Sequence, residues 1–338
     1  MAVSKPGRYS PLSYHFNPKT MADIYLHQHK DFPELLSILS RETGILSQLI
    51  EKDYWIMHVL YGLKKQGFSF ELKGGTSLSK GYGIIHRFSE DIDIRILPPD
   101  GHAVAVDPKK VKKGHVDSRL GYYDWLAGEI AIDGIVSVER DTAFDDTRYY
   151  RSGGIRLAYE AHGEGIEGLK DGILLEAGFD TVTPNTQVSI SSWAYDRAAA
   201  TLGISIIDNR AVDIACYHPG FTFVEKLQTV ATKFRQFQAD GILRPNLLRQ
   251  YYDLACLLDY PAVGEFIGTE DYHAHKLARF PKQDLEAPLS ENQAFLLDDA
   301  GLRADYQAQY QATAALYYNG QPPFGELLDR IRRDLGRF

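Results

Sequence analysis

Cysteine is nearly absent. Cys216 and Cys256 are the whole complement of a 338-residue chain, too few for a disulfide framework and without the CxxC spacing of a zinc site, which fits a reducing compartment. Long apolar runs are missing too: nowhere is there the roughly 18-residue stretch that spans a bilayer, and Met1 to Asn17 lacks the apolar segment of a signal peptide. A soluble, cytoplasmic protein that does not engage membranes is expected. Basic charge is not in excess, with 37 Lys and Arg against 45 Asp and Glu and a net charge of −8. A surface coated in positive charge is thereby excluded, and any nucleic-acid contact has to be local. The histidines show no H-E-x-x-H or comparable spacing, so zinc is not expected.

What is present is a globular composition, 44% hydrophobic and 24% charged, long enough for two or three packed units. Ser4 to Thr20 is polar and aperiodic, an arm or loop. From Pro33 to Lys65 apolar residues recur at helical spacing, interrupted near Gly44, which predicts two helices. Short β-rich runs follow at Phe68 to Leu72, Ile92 to Leu97, Ile135 to Val138, Ile155 to Tyr159 and Ile173 to Leu175, with helices expected over Ser77 to Ile84 and Lys109 to Ile132. After Ile206 the pattern is helical: Phe221 to Phe237, Pro245 to Leu258, Gly264 to Arg279, Glu291 to Tyr318 and Phe324 to Leu335. The expectation is an α+β fold, a mixed sheet with flanking helices, in three parts: an arm and helices over 1–66, a core over 67–210 and a helical C-terminal domain over 211–338.

Chemistry concentrates in Lys73-Gly74-Gly75-Thr76-Ser77-Leu78-Ser79-Lys80 and in Arg87-Phe88-Ser89-Glu90-Asp91-Ile92-Asp93-Ile94-Arg95. On a strand Asp91, Asp93 and Arg95 share one face while Ile92, Ile94 and Ile96 share the other, which sets the two carboxylates roughly 6.6 Å apart. Like charges that close repel unless a cation lies between them, and an all-oxygen site of this kind suits Mg²⁺. Gly74 and Gly75 let a ligand approach the backbone, and Thr76 or Ser77 can cap the following helix, whose N-terminus favours phosphate. A P-loop does not fit, because Lys80 stands where its second glycine would be.

Strand, Gly-Gly-Thr-Ser, helix and a strand with Asp-x-Asp resemble the polymerase-β-like nucleotidyltransferases. The two segments together resemble more narrowly the AbiEii/AbiGii toxin family. The resemblance implies a third carboxylate on a neighbouring strand, for which Glu176 is the best placed and Glu160 and Glu139 are rivals. It also implies a nucleotide site using Gly74, Gly75, Thr76, Ser77, Lys80, Arg87 and Ser89. A Glu-Lys-Leu helix follows, here Glu225-Lys226-Leu227 with Lys233 where the family more often has Arg, then the family's Arg-Asp-x-Tyr-Asp, here Arg249-Gln250-Tyr251-Tyr252-Asp253 with Gln250 in place of the family's acid. Helical geometry puts Lys226 and Lys233 within about 20° of each other, two cations able to grip a triphosphate. Arg249 and Asp253, at i and i+4, could equally pair with each other.

The implied activity is transfer of an NMP from an NTP, with two Mg²⁺ ions on Asp91, Asp93 and Glu176. The implied acceptor is RNA, the 3′ end of tRNA first, in a toxin–antitoxin or phage-defence role with a cognate antitoxin. The residues leave open a silent nucleotide- or partner-binding protein of the same fold, and transfer to a protein or small molecule. Lys109, Lys110, Lys112 and Lys113 precede Tyr122, Tyr123 and Trp125, and Arg148, Arg151 and Arg156 surround Tyr149 and Tyr150. Both groups have the composition of single-strand-binding patches, but the reading favoured for each is a solvated charge run.

Overall fold

The computed structural model describes residues 24–163, 165, 169–201 and 205–338; the expected arm over Ser4 to Thr20 lies outside them. Helix α1 (Phe32–Thr43) starts with Pro33 in its first turn and ends at Gly44, whose φ of 75° caps it. Helix α2 (Ser47–Lys65) is buried on nearly every side, including the consecutive charges Glu51, Lys52 and Asp53. Such a helix lies inside the molecule, and each of those charges must find a partner there.

The strands β1 (Ser69–Lys73), β2 (Asp91–Leu97), β3 (Ile135–Arg140), β4 (Ser152–Tyr159), β5 (Ile173–Gly178), β6 (Asn185–Ile190) and β7 (Ala211–Tyr217) form one sheet in the order β3-β4-β5-β2-β1-β7-β6. It is mixed: β2 runs antiparallel to β1 and parallel to β5, and β7 runs parallel to β1. The alternation expected of β2 is present, with Ile92, Ile94 and Ile96 in the core. One apolar core joins α1, α2, the sheet and α4 (Lys113–Glu129).

A second core is built by the C-terminal helices: α6 (Pro219–Asp240), α7 (Leu248–Leu258), α8 (Pro261–Phe266), α9 (Glu270–Arg279), α10 (Gln293–Leu296), α11 (Ala300–Gln311) and α12 (Phe324–Asp334). Leu78 and Ile85, from the glycine-rich segment, belong to this second core. The Phe88 amide donates to the Leu316 carbonyl at 2.7 Å. The segment between β1 and β2 therefore joins the two halves.

Several expectations are corrected. The helix expected over Ser77 to Ile84 is a single helical turn, α3 (Gly74–Thr76), running into a wider turn over Ser77–Gly81; Gly83, with φ of 65°, turns the chain away. The helix expected from Lys109 to Ile132 spans only Lys113 to Glu129. Strands β6 and β7 and helix α5 (Trp193–Ala199) were not expected, and the sheet runs past residue 210 to Tyr217. The pattern of β6 is mostly polar because it is an edge strand. In β7, Val212 and Asp213 are both exposed and Asp213 takes a φ of 51°, which breaks the two-residue period.

The long helices expected over Gly264 to Arg279 and Glu291 to Tyr318 each divide. Thr269 caps α9 and Asp299 caps α11, each accepting a hydrogen bond from a backbone N–H of the first turn.

Candidate active site

Asp93 and Glu176 are register partners on the parallel strands β2 and β5, and Lys73 stands opposite Asp93 on β1. Adjacent strands lie roughly 4.8 Å apart, so the two carboxyls are held side by side. Burial first, then the Asp93 and Asp91 charges, push the Glu176 carboxyl up to about 7. Burial and Asp91 raise that of Asp93 as well, against the opposing pull of Lys73. Two half-buried acids set side by side make a seat for positive charge or for a proton. The rivals stand elsewhere: Glu139 is exposed on β3, two strands from β5, and Glu160 is exposed just beyond β4.

The double glycine is explained by contact as well as conformation. Gly74 has φ of 72°, and a Cβ there would lie 2.2 Å from Asp93 Oδ2. At Gly75 a Cβ would lie 2.4 Å from Ser89 Oγ. The backbone thus runs directly against the acidic strand, which no side chain would permit. Thr76 Oγ1 donates to the Asp91 carbonyl at 2.5 Å, tying the turn to the start of β2.

Asp91 is engaged by a residue that pattern alone did not single out. The Lys170 ammonium donates to both of its oxygens, at 3.0 and 2.8 Å. The Lys170 amide donates to Glu90 Oε2 at 3.0 Å, and its carbonyl accepts from the Lys52 ammonium. Glu90, 5% exposed, also faces Lys52 at 3.7 Å and Arg249 at 3.8 Å. Burial lowers Lys52 to about 8 despite Glu90 and Asp91. The Glu51-Lys52-Asp53 triplet was a usable signal, since its neighbours Ile50, Tyr54 and Trp55 leave it no solvent face. Lys170 follows a segment without periodicity and gave none.

The expected binding residues from the C-terminal half are largely committed to one another. Arg87 makes a two-pronged pair with Asp253, Nε to Oδ1 at 2.7 Å and Nη2 to Oδ2 at 2.6 Å. Lys226 donates to the same Asp253 Oδ2 at 2.6 Å and to Gln250 Oε1 at 2.9 Å. Asp253 is fully buried and keeps its charge, because Arg87 and Lys226 outweigh the cost of burial. The surface pair of Arg249 with Asp253 is not made.

Lys80 pairs with the buried Asp53 at 2.7 Å and lies over the Trp193 ring. Lys233 is half-buried and, among the described residues, makes no hydrogen bond or ion pair. Burial, then Arg244 and Lys226, lower its ammonium.

The first aromatic patch is not laid out as its composition suggested. Tyr122 and Tyr123 are core residues, 2% and 0% exposed, and cannot stack on a base. Arg148 and Arg151 both lie over the Tyr149 ring, and Arg156 is paired with Asp141. Arg119, fully buried, donates to the carbonyls of Ala105, Asp107, Lys110 and Tyr149 and so fixes the basic loop.

The donor set of Asp91, Asp93 and Glu176 is all oxygen, and the two acids with raised pKa would be relieved by a hard cation. Among the described residues, no group of three or more His, Cys, Asp or Glu side chains is placed to hold a metal as it stands. Asp91 is instead satisfied by Lys170.

A mixed sheet that sets an acidic strand against a double-glycine turn, with helices closing over both, is the core of a nucleotidyltransferase. Residues 58–330 match the family model described as nucleotidyl transferase AbiEii toxin, type IV toxin–antitoxin system, and the chain belongs to that family. No curated protein matches it. Membership implies nucleotidyl transfer as the activity and an antitoxin as partner. Among the described residues no helix is long and apolar enough to cross a membrane.

Proposed function

We propose that this protein moves a nucleoside monophosphate from an NTP to the 3′ end of an RNA, tRNA first among the acceptors, in a Mg²⁺-dependent reaction, and that it acts as a cytoplasmic toxin in phage defence. The observation carrying the proposal is the Asp93 and Glu176 pair, half-buried and held in register on adjacent strands beside Gly74. Asp91, Asp93 and Glu176 would hold the divalent ions, which supply charge neutralisation on the phosphates and activation of the acceptor. The turn at Gly74 and Gly75, packed against Asp93 and Ser89, would meet the phosphates through its backbone, while Thr76 and Ser77, fully buried, support the turn from within.

Glu176, with its carboxyl near 7, assists removal of the proton from the acceptor hydroxyl. That oxygen forms its bond to the α-phosphorus as the bond to the pyrophosphate oxygen breaks. Lys233, without an acid partner among the described residues, would meet the departing pyrophosphate. Lys226 and Arg249 stand nearby, Lys226 oriented by Asp253 and Gln250 and Arg249 facing Glu90.

The test is incubation with each labelled NTP, Mg²⁺ and total RNA, alongside an Asp91→Ala, Asp93→Ala protein. Label in RNA with the parent and none with the variant is expected. Equal labelling by both proteins rejects the mechanism. Label appearing only in protein or in a small molecule rejects the acceptor, and NTP binding without any product over long incubation rejects turnover.

A further inference from the structure

Lys170 lies in the connection between β4 and β5, a place where a surface lysine would ordinarily be unrestrained. Here its backbone is gripped from both sides. The amide donates to Glu90 and the carbonyl accepts from Lys52, and those two side chains are only 5% and 1% exposed. Burying opposite charges is costly and is retained where it fixes a geometry. What these two fix is the position of a single ammonium. It sits on both oxygens of Asp91 at 3.0 and 2.8 Å and 4.6 Å from the centre of the Phe144 ring. A chance surface pair would need none of this support.

We infer that Lys170 is a positioning residue, an internal counter-ion that holds the Asp91 carboxylate in the site and must leave it when a divalent cation binds there. The inference rests on the reading of Asp91 as a cation ligand. In the free protein a cluster of Asp91, Asp93 and Glu176 without compensation would be driven apart or protonated; the ammonium lowers that repulsion. The Asp91 oxygens keep lone pairs beyond those that meet Lys170, but a divalent cation on them would stand beside the ammonium, and the repulsion between the two positive charges makes them compete. The Glu90 and Lys52 clamp keeps the displaced lysine close by, ready to return.

The experiment is Mn²⁺ titration by calorimetry and electron paramagnetic resonance, without nucleotide, on the parent, Lys170→Met and Lys170→Arg proteins. Removing one positive charge beside the site should tighten Mn²⁺ binding about 3- to 10-fold in Lys170→Met, while Lys170→Arg stays near the parent. Lys170→Met should also melt at a lower temperature in EDTA and regain more on adding Mn²⁺ than the parent does. Unchanged or weaker Mn²⁺ binding by Lys170→Met overturns the inference and leaves the metal reading standing; a parent that binds no Mn²⁺ overturns both.

A second measurement needs no variant. In the parent, acetylation of Lys170 followed by peptide mass spectrometry should be faster with Mn²⁺ than with EDTA, and equal or slower labelling counts against displacement.

Discussion

Gly74 and Asp93 are in such close approach that a single added methyl group on the glycine would lie 2.2 Å from the Asp93 carboxylate oxygen. Gly74→Ala must therefore move the turn or the acid, and it also forces a side chain into a left-handed backbone. The expected result is a stability loss on the order of 1–3 kcal/mol together with loss of nucleotidyl transfer. Thermal melting and RNA labelling measured side by side check it. A Gly74→Ala protein with parental activity would show that the turn does not need to touch β2.

The acids themselves should separate activity from stability. Asp93→Asn and Glu176→Gln each remove a charge that the fold disfavours, so neither should melt much below the parent, and Glu176→Gln should melt slightly higher near neutral pH without divalent ions. Transfer should fall at least about a hundredfold in both, since the removed charge is worth several kcal/mol at a phosphoryl-transfer centre.

The pH dependence follows from Glu176. Its carboxyl is raised from 4.5 to about 7 by burial and by Asp93 and Asp91, so between those values the folded chain binds more protons than the unfolded one. Stability without divalent ions should accordingly be highest below about 4.5 for this group and fall as pH rises toward 7, by roughly 2–3 kcal/mol at most. Denaturant titrations across that range on the parent and Glu176→Gln test it; equal slopes in the two proteins would assign the pH dependence to other groups.

Arg87 and Asp253 join the β1 to β2 segment to α7. Arg87→Ala leaves a buried carboxylate with Lys226 alone and should cost about 3–5 kcal/mol. Arg87→Lys should recover only part of this, because an ammonium cannot reproduce the two parallel hydrogen bonds. Replacing both partners with apolar residues should also fall short of full recovery, since Lys226 would then lose its acid. Urea unfolding of the three variants distinguishes these outcomes.

Much of the strand framework was legible because alternation is a local property: Ile92, Ile94 and Ile96 face the core whatever lies across from them. Element ends were harder to read. Leu297, in a left-handed conformation with Asp299 capping the next helix, divides what looked like one long helix. β7 was hidden because Asp213 breaks its two-residue period.

At the site, the sequence by itself determined which acids share a strand face and where the backbone is bare, since both follow from period and residue type along one segment. Tertiary structure alone decided who neutralises whom. Lys52, Glu90 and Lys170 meet from α2, the entry to β2 and the connection before β5, and Arg87 meets Asp253 across 166 positions. Charges interact through space with a strength set by distance and burial, and neither quantity is written in the spacing of residues along a chain.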